Sequence, residues 1–370
     1  MAAYAITLIV ALAVSYGTTP AVLRLSRAIG AVDVPDDRKV HGAPTPTLGG
    51  IAIFLGFLAA FAAASGLAPF RSSFRPLITW PLTEPVAIFL GTAVVFVVGL
   101  IDDLHGVKAP VKLAGHVLAA GFVFLQGVRL EWFRLPPLGT LSLGPTESAL
   151  ATIAWIVIIV NAVNLIDGLD GLAAGITAIA AATFFVYSYQ LAAGLAVPGL
   201  EQTAPLLSIV VVGATLGFIR YNFNPAKIFM GDSGSTTLGF LLATATVSGV
   251  GRSFPENVIS ESVIFYLPIM IPFVVLAIPL LDTVLAVLRR ARRGRHIFHA
   301  DKGHLHHRLL EIGHGHRQVV LILYAWTAVI AGAGLALSFV PDPRYALLFA
   351  AAGVAVLLYT MLPRILRSRP

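Results

Sequence analysis

The chain has 370 residues, of which 57% are hydrophobic and 12% charged, and its mean hydropathy is +0.87. Soluble domains carry about twice this fraction of charged residues, so the composition excludes a string of soluble domains and indicates a polytopic membrane protein. The net charge is +7, and the absence of cysteine excludes disulfides, thiolate catalysis and thiolate metal ligation.

Eleven segments are apolar enough to cross a bilayer, which takes about 20 mainly apolar residues. The predicted spans are 4–23, 48–67, 85–101, 112–128, 148–164, 171–192, 204–219, 235–251, 262–286, 318–339 and 344–362. Little sequence remains between them for a separate globular domain. We therefore expect an all-α polytopic membrane protein with about 11 transmembrane helices, forming a single integral-membrane domain over residues 1–370.

The basic residues divide unequally between the two sides of the predicted membrane. Nineteen of the 25 Lys and Arg lie on the side of the first loop, and every Asp except Asp342 lies there too. The positive-inside rule makes this side cytoplasmic, with the N-terminus out and the C-terminus in. A basic face with clustered Asp suits phosphorylated substrates and metal chemistry. The basic residues are tied to membrane loops, which argues against nucleic acid as a partner. The cytoplasmic loops expected to form a site are 24–47, 102–112, 164–171, 220–234 and 287–317.

The first of these loops reads D-V-P-D-D-R-K-V-H from Asp33 and is rich in Pro and Gly, which favours a fixed, non-helical path. Lys39 and His41 offer cationic donors to a phosphate. Taken alone, however, the loop is more typical of a basic membrane anchor.

The second loop begins with the adjacent Asp102 and Asp103 at the end of the third predicted span. Neighbouring carboxylates repel each other, so we expect a divalent cation, Lys108 or Lys112, or a shared proton to stabilise the pair. A solvated turn is the alternative. The pair lies on the same side as the polar stretch that follows, and this position favours a function.

That stretch, Asn161 to Gly171, reads N-A-V-N-L-I-D-G-L-D-G. Its side chains Asn161, Asn164, Asp167 and Asp170 recur every three residues beside an apolar segment. Such groups are costly in hydrocarbon, so we expect them at a water-filled mouth where their oxygens face a ligand. A simple polar turn between helices would need fewer of them.

The fourth loop ends in the run G-D-S-G-S, residues 231–235, where the eighth predicted span begins. A helix N-terminus there would offer backbone N–H groups to an anion, and Asp232 could hold a bridging cation. Phe229 supplies a flat apolar face for a base or a sugar, and Asn222 an amide that can read a ring edge. Helix capping is the alternative for Asp232 and Ser233, but it accounts for one residue and not for the run.

The last cytoplasmic loop holds seven of the ten histidines. His304, His306 and His307 suggest zinc, but no cysteine or carboxylate completes a tetrahedral set. The Arg-rich surroundings favour an anion such as a pyrophosphate. The other four histidines of this loop, including His314, are expected at the surface.

Five motifs, in order on one membrane face, resemble a known family. They are D-x-P-D-D-R-K-x-H-x-x-P-x-P-x-x-G-G, G-L-I-D-D, N-A-x-N-L-I-D-G-L-D-G-L, F-M-G-D-S-G-S and H-L-H-H-R-L, from residue 33 to about 314. They resemble the polyprenyl-phosphate N-acetylhexosamine-1-phosphate transferases, with their MraY and WecA/TagO branches. The H-L-H-H spacing and the D-D-R-K-V-H loop are similar to the WecA/TagO branch. The MraY branch has a contiguous histidine triple followed by a carboxylate, which is absent here.

The resemblance implies a multi-pass enzyme of the bacterial cytoplasmic (inner) membrane. It would transfer N-acetylglucosamine-1-phosphate from UDP-N-acetylglucosamine to undecaprenyl phosphate and release UMP, the first membrane step of cell-envelope polysaccharide synthesis. It implies Mg²⁺, with Mn²⁺ as the alternative ion, bound by Asp232 with Asn164 as a second ligand. Asp102 and Asp103 match the acidic pair that acts on the lipid phosphate or supports the metal, so Asp102, Asp103 and Asp232 are the expected catalytic residues.

The resemblance also implies the substrate contacts. The uridine is expected to lie between Phe229, Asp170 and Asn222. The loop that carries the histidines is expected to close over the pyrophosphate and the sugar. A homodimer is typical of such enzymes. The full set of expected substrate contacts is Asp167, Asp170, Asn222, Phe229, Lys39, His41, Lys112, His304, His306 and His307.

Several alternatives remain open at this point. Direct attack by the ionised lipid phosphate is favoured over a covalent aspartyl-phosphate route, because phosphoryl transfer needs charge neutralisation and alignment more than covalent help. The substrate could instead be a UDP-muramyl-peptide, as in the MraY-type reaction, or another UDP-hexosamine. From a different class, an anionic solute transporter would show polar residues at the bilayer midplane and weak internal repeats, and the sequence has neither pattern.

Overall fold

The computed structural model describes residues 1–34, 44–74, 80–135, 139–195, 203–250, 277–292, 305–339 and 342–367. Within these ranges eight helices are long and apolar enough to cross a membrane. The protein is therefore a mainly helical, polytopic membrane protein, and this part of the prediction is confirmed.

The helices differ widely in length, and two short hairpins lie between them. The helices are α1 (Ala2–Ala28), α2 (Gly49–Gly66), α3 (Arg71–Phe74), α4 (Glu84–His105), α5 (Ala109–Leu125), α6 (Pro145–Leu165), α7 (Leu172–Leu195), α8 (Thr203–Asn222), α9 (Gly231–Val250), α10 (Ala277–Arg292), α11 (Leu305–Ile312), α12 (His316–Phe339) and α13 (Pro343–Arg367). The antiparallel hairpins pair β1 (Val32–Asp33) with β2 (Thr45–Pro46) and β3 (Trp132–Leu135) with β4 (Gly139–Ser142). These hairpins are the one departure from the all-α expectation within the described residues.

The count of eleven spans and the orientation in the membrane stay predictions. The eight candidate spans lie in α1, α2, α4, α6, α7, α8, α12 and α13. Helix α5 is apolar but has 17 residues, which is short for a span. The predicted span 262–286 lies outside the described residues as far as residue 276, and α10 begins at Ala277.

Helix α9 lies among the other helices and packs against α2, α4, α6, α7 and α8. Its side chains are buried along nearly its whole length. It is rich in Ser, Thr and Gly, small residues that let neighbouring helices approach closely. The same small polar residues lower the hydropathy of this 20-residue helix, and it is not one of the eight candidate spans.

Two glycines bring α2 and α4 against the first turn of α9. A Cβ atom at Gly99 of α4 would lie 2.6 Å from the Cα atom of Ser233, and one at Gly50 of α2 would collide with the backbone nitrogen of Gly234. The segment before α9 is held as well, because the N–H of Gly50 donates to the carbonyl of Met230 at 2.8 Å. The position of Asp232 is thus set by backbone packing.

Candidate active site

Helices α4, α5, α6 and α9 bring together four of the residues predicted for the site: Asp102, Lys112, Asn164 and Asp232. The expected loop 102–112 is shorter than predicted, because α4 continues to His105. The acidic pair therefore lies in the last turn of a helix, where both carboxylates find partners.

The ammonium of Lys112 contacts two carboxylates from two different helices. Its Nζ lies 2.8 Å from Oδ2 of Asp102 and also forms an ion pair with Oδ2 of Asp232. The second oxygen of each carboxylate has another donor, which is the N–H of Val107 for Asp102 (2.5 Å) and the amide of Asn164 for Asp232 (2.9 Å). The three charged side chains are 15% to 27% exposed, so partial shielding from water strengthens their attraction.

Asp103 faces the N-terminus of α9. Its carboxylate accepts hydrogen bonds from the N–H of Asp232 (2.6 Å), the N–H of Ser233 (3.0 Å) and the hydroxyl of Ser233 (2.5 Å). The first N–H groups of a helix have no partner within the helix, and its dipole favours a negative charge there. Gly231, with φ of +67°, is needed at this point, since a Cβ atom would lie 2.6 Å from both oxygens of Asp103.

This contact overturns one expectation. The N–H groups of the G-D-S-G-S run were predicted to bind an external anion. In the structure the anion at this N-terminus is the protein's own Asp103, because α4 brings its carboxylate within hydrogen-bond distance of the first turn.

The oxygen donors around Asp232 suit Mg²⁺. This ion is held by one or two carboxylates and keeps several waters, and Oδ2 of Asp102 and Oδ2 of Asp232 converge on one cation position. Asn164 donates its amide N–H groups to Asp232 and to Ser235, each at 2.9 Å. Among the described residues, no three His, Asp or Glu side chains converge to hold a metal. The donor set is therefore a two-carboxylate one, and the metal roles of Asp232 and Asn164 stay predictions.

Asp167 lies in the turn between α6 and α7 and is partly buried. Burial raises the pKa of Asp167 to about 7, and the neighbouring carboxylates of Asp103 and Asp170 add to the shift. Its own carboxylate accepts no hydrogen bond within the described part of the chain. A perturbed, unpaired carboxyl group of this kind is typical of functional sites.

Asp170 joins this turn to the segment after α8. Its carboxylate accepts hydrogen bonds from the amide of Asn224 (2.9 Å) and from the N–H of Ala226 (3.0 Å), and it is buried. The carbonyl of Asn224 in turn accepts a hydrogen bond from Arg317 at 2.9 Å, which ties α12 to the same segment.

Asn222 makes a second connection of the same kind. Its side-chain oxygen accepts the N–H of Gly171 at 3.1 Å, and its amide donates to the carbonyl of Ile228 at 3.0 Å. Only 2% of the residue is exposed. In the structure Asn222 and Asp170 hold two loops together, and their contact with uridine stays a prediction.

Phe229 lies just before α9 and is partly buried. Its N–H donates to the carbonyl of Pro46 at 2.7 Å, and its carbonyl accepts the N–H of Gly49 at 2.9 Å. These two hydrogen bonds hold the backbone of Phe229 against β2 and the start of α2. The backbone from which its ring projects is therefore fixed in position.

Comparisons with known proteins decide the family. Residues 85–250 match the glycosyl transferase family 4. Over 353 residues the chain is 40% identical to a decaprenyl-phosphate N-acetylglucosaminephosphotransferase of Mycobacterium tuberculosis, covering 93% of this chain and 86% of that one.

The chain belongs to glycosyl transferase family 4.

Two further relatives agree with this assignment. A probable undecaprenyl-phosphate N-acetylglucosaminyl 1-phosphate transferase of Bacillus subtilis is 37% identical over 307 residues, which are 83% of this chain and 77% of that one. An undecaprenyl-phosphate alpha-N-acetylglucosaminyl 1-phosphate transferase of Haemophilus influenzae is 29% identical over 326 residues, which are 84% and 80%. The resemblance inferred from the five motifs is confirmed.

Other predicted residues of this family 4 protein are not brought to the site by the structure. Lys39, His41 and His304 lie outside the described residues. His306 and His307 belong to the helix α11, but the positions of their side chains lie outside the described part.

The expectation that His314 lies at the surface is wrong. It is buried, and its Nε2 lies 2.8 Å from the carbonyl oxygen of Thr360 in α13. The position of His314 in a basic, histidine-rich loop favours an exposed side chain. Helix α13 packs over this end of the loop, however, and buries the imidazole.

Two residues that were not predicted to belong to the site also support it. The hydroxyl of Ser235 accepts the amide of Asn164, and the G-D-S-G-S run could have pointed to it. The hydroxyl of Tyr324 donates to the carbonyl of Gly171, the last residue of the turn that carries Asp167. Tyr324 stands in an ordinary apolar helix 153 residues away, so no local pattern identifies it.

Proposed function

We propose that this protein transfers N-acetylglucosamine-1-phosphate from UDP-N-acetylglucosamine to undecaprenyl phosphate, or a similar polyprenyl phosphate, and releases UMP, with Mg²⁺ as its cofactor. The observation that carries this proposal is the convergence of Asp102 and Asp232 on one cation position. The family supplies the reaction class, because its relatives are named decaprenyl- and undecaprenyl-phosphate N-acetylglucosamine phosphotransferases.

In the proposed reaction an oxygen of the lipid phosphate attacks the β-phosphorus of the UDP-sugar. A new bond forms between the lipid phosphate oxygen and the β-phosphorus, the bond between the β-phosphorus and the bridging oxygen breaks, and UMP leaves with the bridging oxygen. Such a transfer depends on alignment and charge neutralisation. Asp232 and Asn164 would hold Mg²⁺, which would neutralise charge on the pyrophosphate.

The chain's own residues supply the rest. Lys112 carries a positive charge at the same mouth, where it can pair with a phosphate oxygen. Asp103 fixes the first turn of α9 and thereby the direction of Asp232. Phe229 offers a stacking face for the uracil ring, as base-binding aromatic residues do.

We further propose that the site lies on the cytoplasmic face of the bacterial cytoplasmic membrane, with eleven spans, the N-terminus out and the C-terminus in. The asymmetric distribution of Lys and Arg supports this orientation. On this face a soluble UDP-sugar and the headgroup of a membrane lipid can reach the same carboxylates.

The test is UMP release by the purified protein in detergent with undecaprenyl phosphate and Mg²⁺. UDP-N-acetylglucosamine and UDP-MurNAc-pentapeptide are supplied separately. We expect UMP with the first donor and none with the second. UMP release with the muramyl-peptide alone would support the proposed phosphoryl transfer but overturn the proposed donor. No UMP release with any UDP-sugar would overturn the proposed reaction.

A further inference from the structure

We propose that Lys112 holds the cation position of the metal site while the protein is free of metal, and that a divalent cation must displace its ammonium to bind. Lys112 is then a positioning residue and an internal competitor of the metal. The inference rests on the proposed function in taking Asp232 as a metal ligand, and it adds the carboxylate of Asp102 as a second ligand.

One oxygen of each carboxylate already accepts a hydrogen bond from another group. Oδ1 of Asp102 accepts the N–H of Val107, and Oδ1 of Asp232 accepts the amide of Asn164. The remaining oxygen of each carboxylate, Oδ2, contacts the ammonium of Lys112. A divalent cation that bridges the two carboxylates would use these same two oxygens.

The ammonium and the metal cannot share this position. Both are cations, and the carboxylates between which they would lie are at most 27% exposed, so solvent screens their repulsion only in part. One lysine charge also balances part of the negative charge of the two carboxylates before any metal arrives. The lysine therefore stabilises the metal-free site and weakens metal binding in the same contact.

The two carboxylates have anchors that do not involve Lys112. Asp102 is held by the N–H of Val107, and Asp232 by Asn164, whose amide also donates to Ser235. Loss of the lysine should therefore leave both carboxylates in place. The side chain can also leave without a backbone change, because the ammonium stands on a flexible four-carbon stem.

Displacement gives the ammonium a second partner. Lys112 is the fourth residue of α5 and its side chain is 18% exposed, so the freed ammonium stays at the mouth of the site. An anionic phosphate oxygen is the group that such a cation would pair with. When the metal binds, the ammonium of Lys112 thus becomes free to pair with a phosphate oxygen of the substrate.

The experiment measures Mn²⁺ binding to substrate-free protein in detergent by the electron paramagnetic resonance signal of the free ion. Lys112→Gln is compared with wild type and with Lys108→Gln. Lys108 lies four residues earlier, is exposed and loses the same charge in the control. We expect Lys112→Gln to bind one Mn²⁺ about tenfold or more tightly than wild type, with Lys108→Gln close to wild type. Equal affinities of the two variants, or weaker binding by Lys112→Gln, would overturn the proposal.

A second measurement uses the wild-type chain and does not depend on a folded variant. Amine acylation followed by peptide mass spectrometry reports how accessible each lysine is. Mg²⁺ should raise the acylation rate of Lys112 and leave that of Lys108 unchanged, and a rate for Lys112 that does not respond to Mg²⁺ would contradict displacement. Failure of this inference is distinct from failure of the proposed reaction, since UMP release would continue while metal affinity and acylation stayed unchanged.

Discussion

The carboxylate of Asp103 binds Ser233 twice, through the hydroxyl at 2.5 Å and through the backbone N–H at 3.0 Å. The two residues belong to α4 and α9. Asp103 therefore fixes the first turn of α9, in which Asp232 precedes Ser233. Asp102, its neighbour, binds Lys112 instead. Two adjacent and chemically identical side chains thus have different roles, because their surroundings differ.

The Asp103–Ser233 contact makes a prediction about stability. Ser233→Ala removes one hydrogen bond to a charged group, which should lower the free energy of unfolding by about 1.5–3 kcal/mol. Denaturant unfolding in detergent measures the loss. Ser248→Ala is the matched control in the same helix, because the hydroxyl of Ser248 has no partner among the described residues. In an Asp103→Asn background the cost of Ser233→Ala should shrink, and an unchanged cost would show that the two side chains act independently.

Asp232→Ala should abolish turnover and remove the Mn²⁺ site, because it deletes one of the two carboxylates that converge on the cation position. UMP release and the Mn²⁺ titration measure the two effects separately. Asp342→Ala is the control, because Asp342 lies directly before α13 and was not predicted to belong to the site. It should leave UMP release and Mn²⁺ binding unchanged. Near-normal Mg²⁺-dependent turnover by Asp232→Ala would remove Asp232 from the site.

Phe229→Ala should weaken binding of the UDP-sugar by about 1–3 kcal/mol, the range found when a base loses its aromatic stacking partner. Calorimetric titration of UDP into the protein measures this loss. Phe229→Tyr keeps the flat ring and should restore the affinity. If the alanine variant binds UDP as wild type does, the ring does not contact the nucleotide.

The raised pKa of Asp167 predicts how the stability of the metal-free protein depends on pH. The folded protein keeps this proton up to a pKa of about 7, whereas the carboxyl group in the unfolded chain loses it near its ordinary pKa of 3.8. The stability is therefore complete below the lower value and falls as the pH rises toward 7. Thermal unfolding in the presence of a chelator should show this decline, and Asp167→Asn should flatten it. Parallel pH profiles for the two proteins would mean that Asp167 ionises normally.

Much of the site could be predicted from local sequence, because hydrocarbon penalises polar groups strongly. Asn164 and Asp167 stand beside an apolar segment, and such residues have to gather at a mouth. Asp232 is identifiable from the G-D-S-G-S run at a helix start. The prediction failed where burial depends on a distant element, as for His314, which is covered by α13.

The class of the protein, a polytopic membrane protein of this family, could be inferred from its amino-acid sequence, because hydrophobic length and motif order are properties of consecutive residues. The different roles of Asp102 and Asp103 depend instead on how the helices pack. Successive residues of a helix point about 100° apart, so one carboxylate faces α5 and the other faces α9. The contact between Asp103 and Ser233 joins residues 130 positions apart. No local pattern encodes such a contact, because it exists only once α4 and α9 have packed.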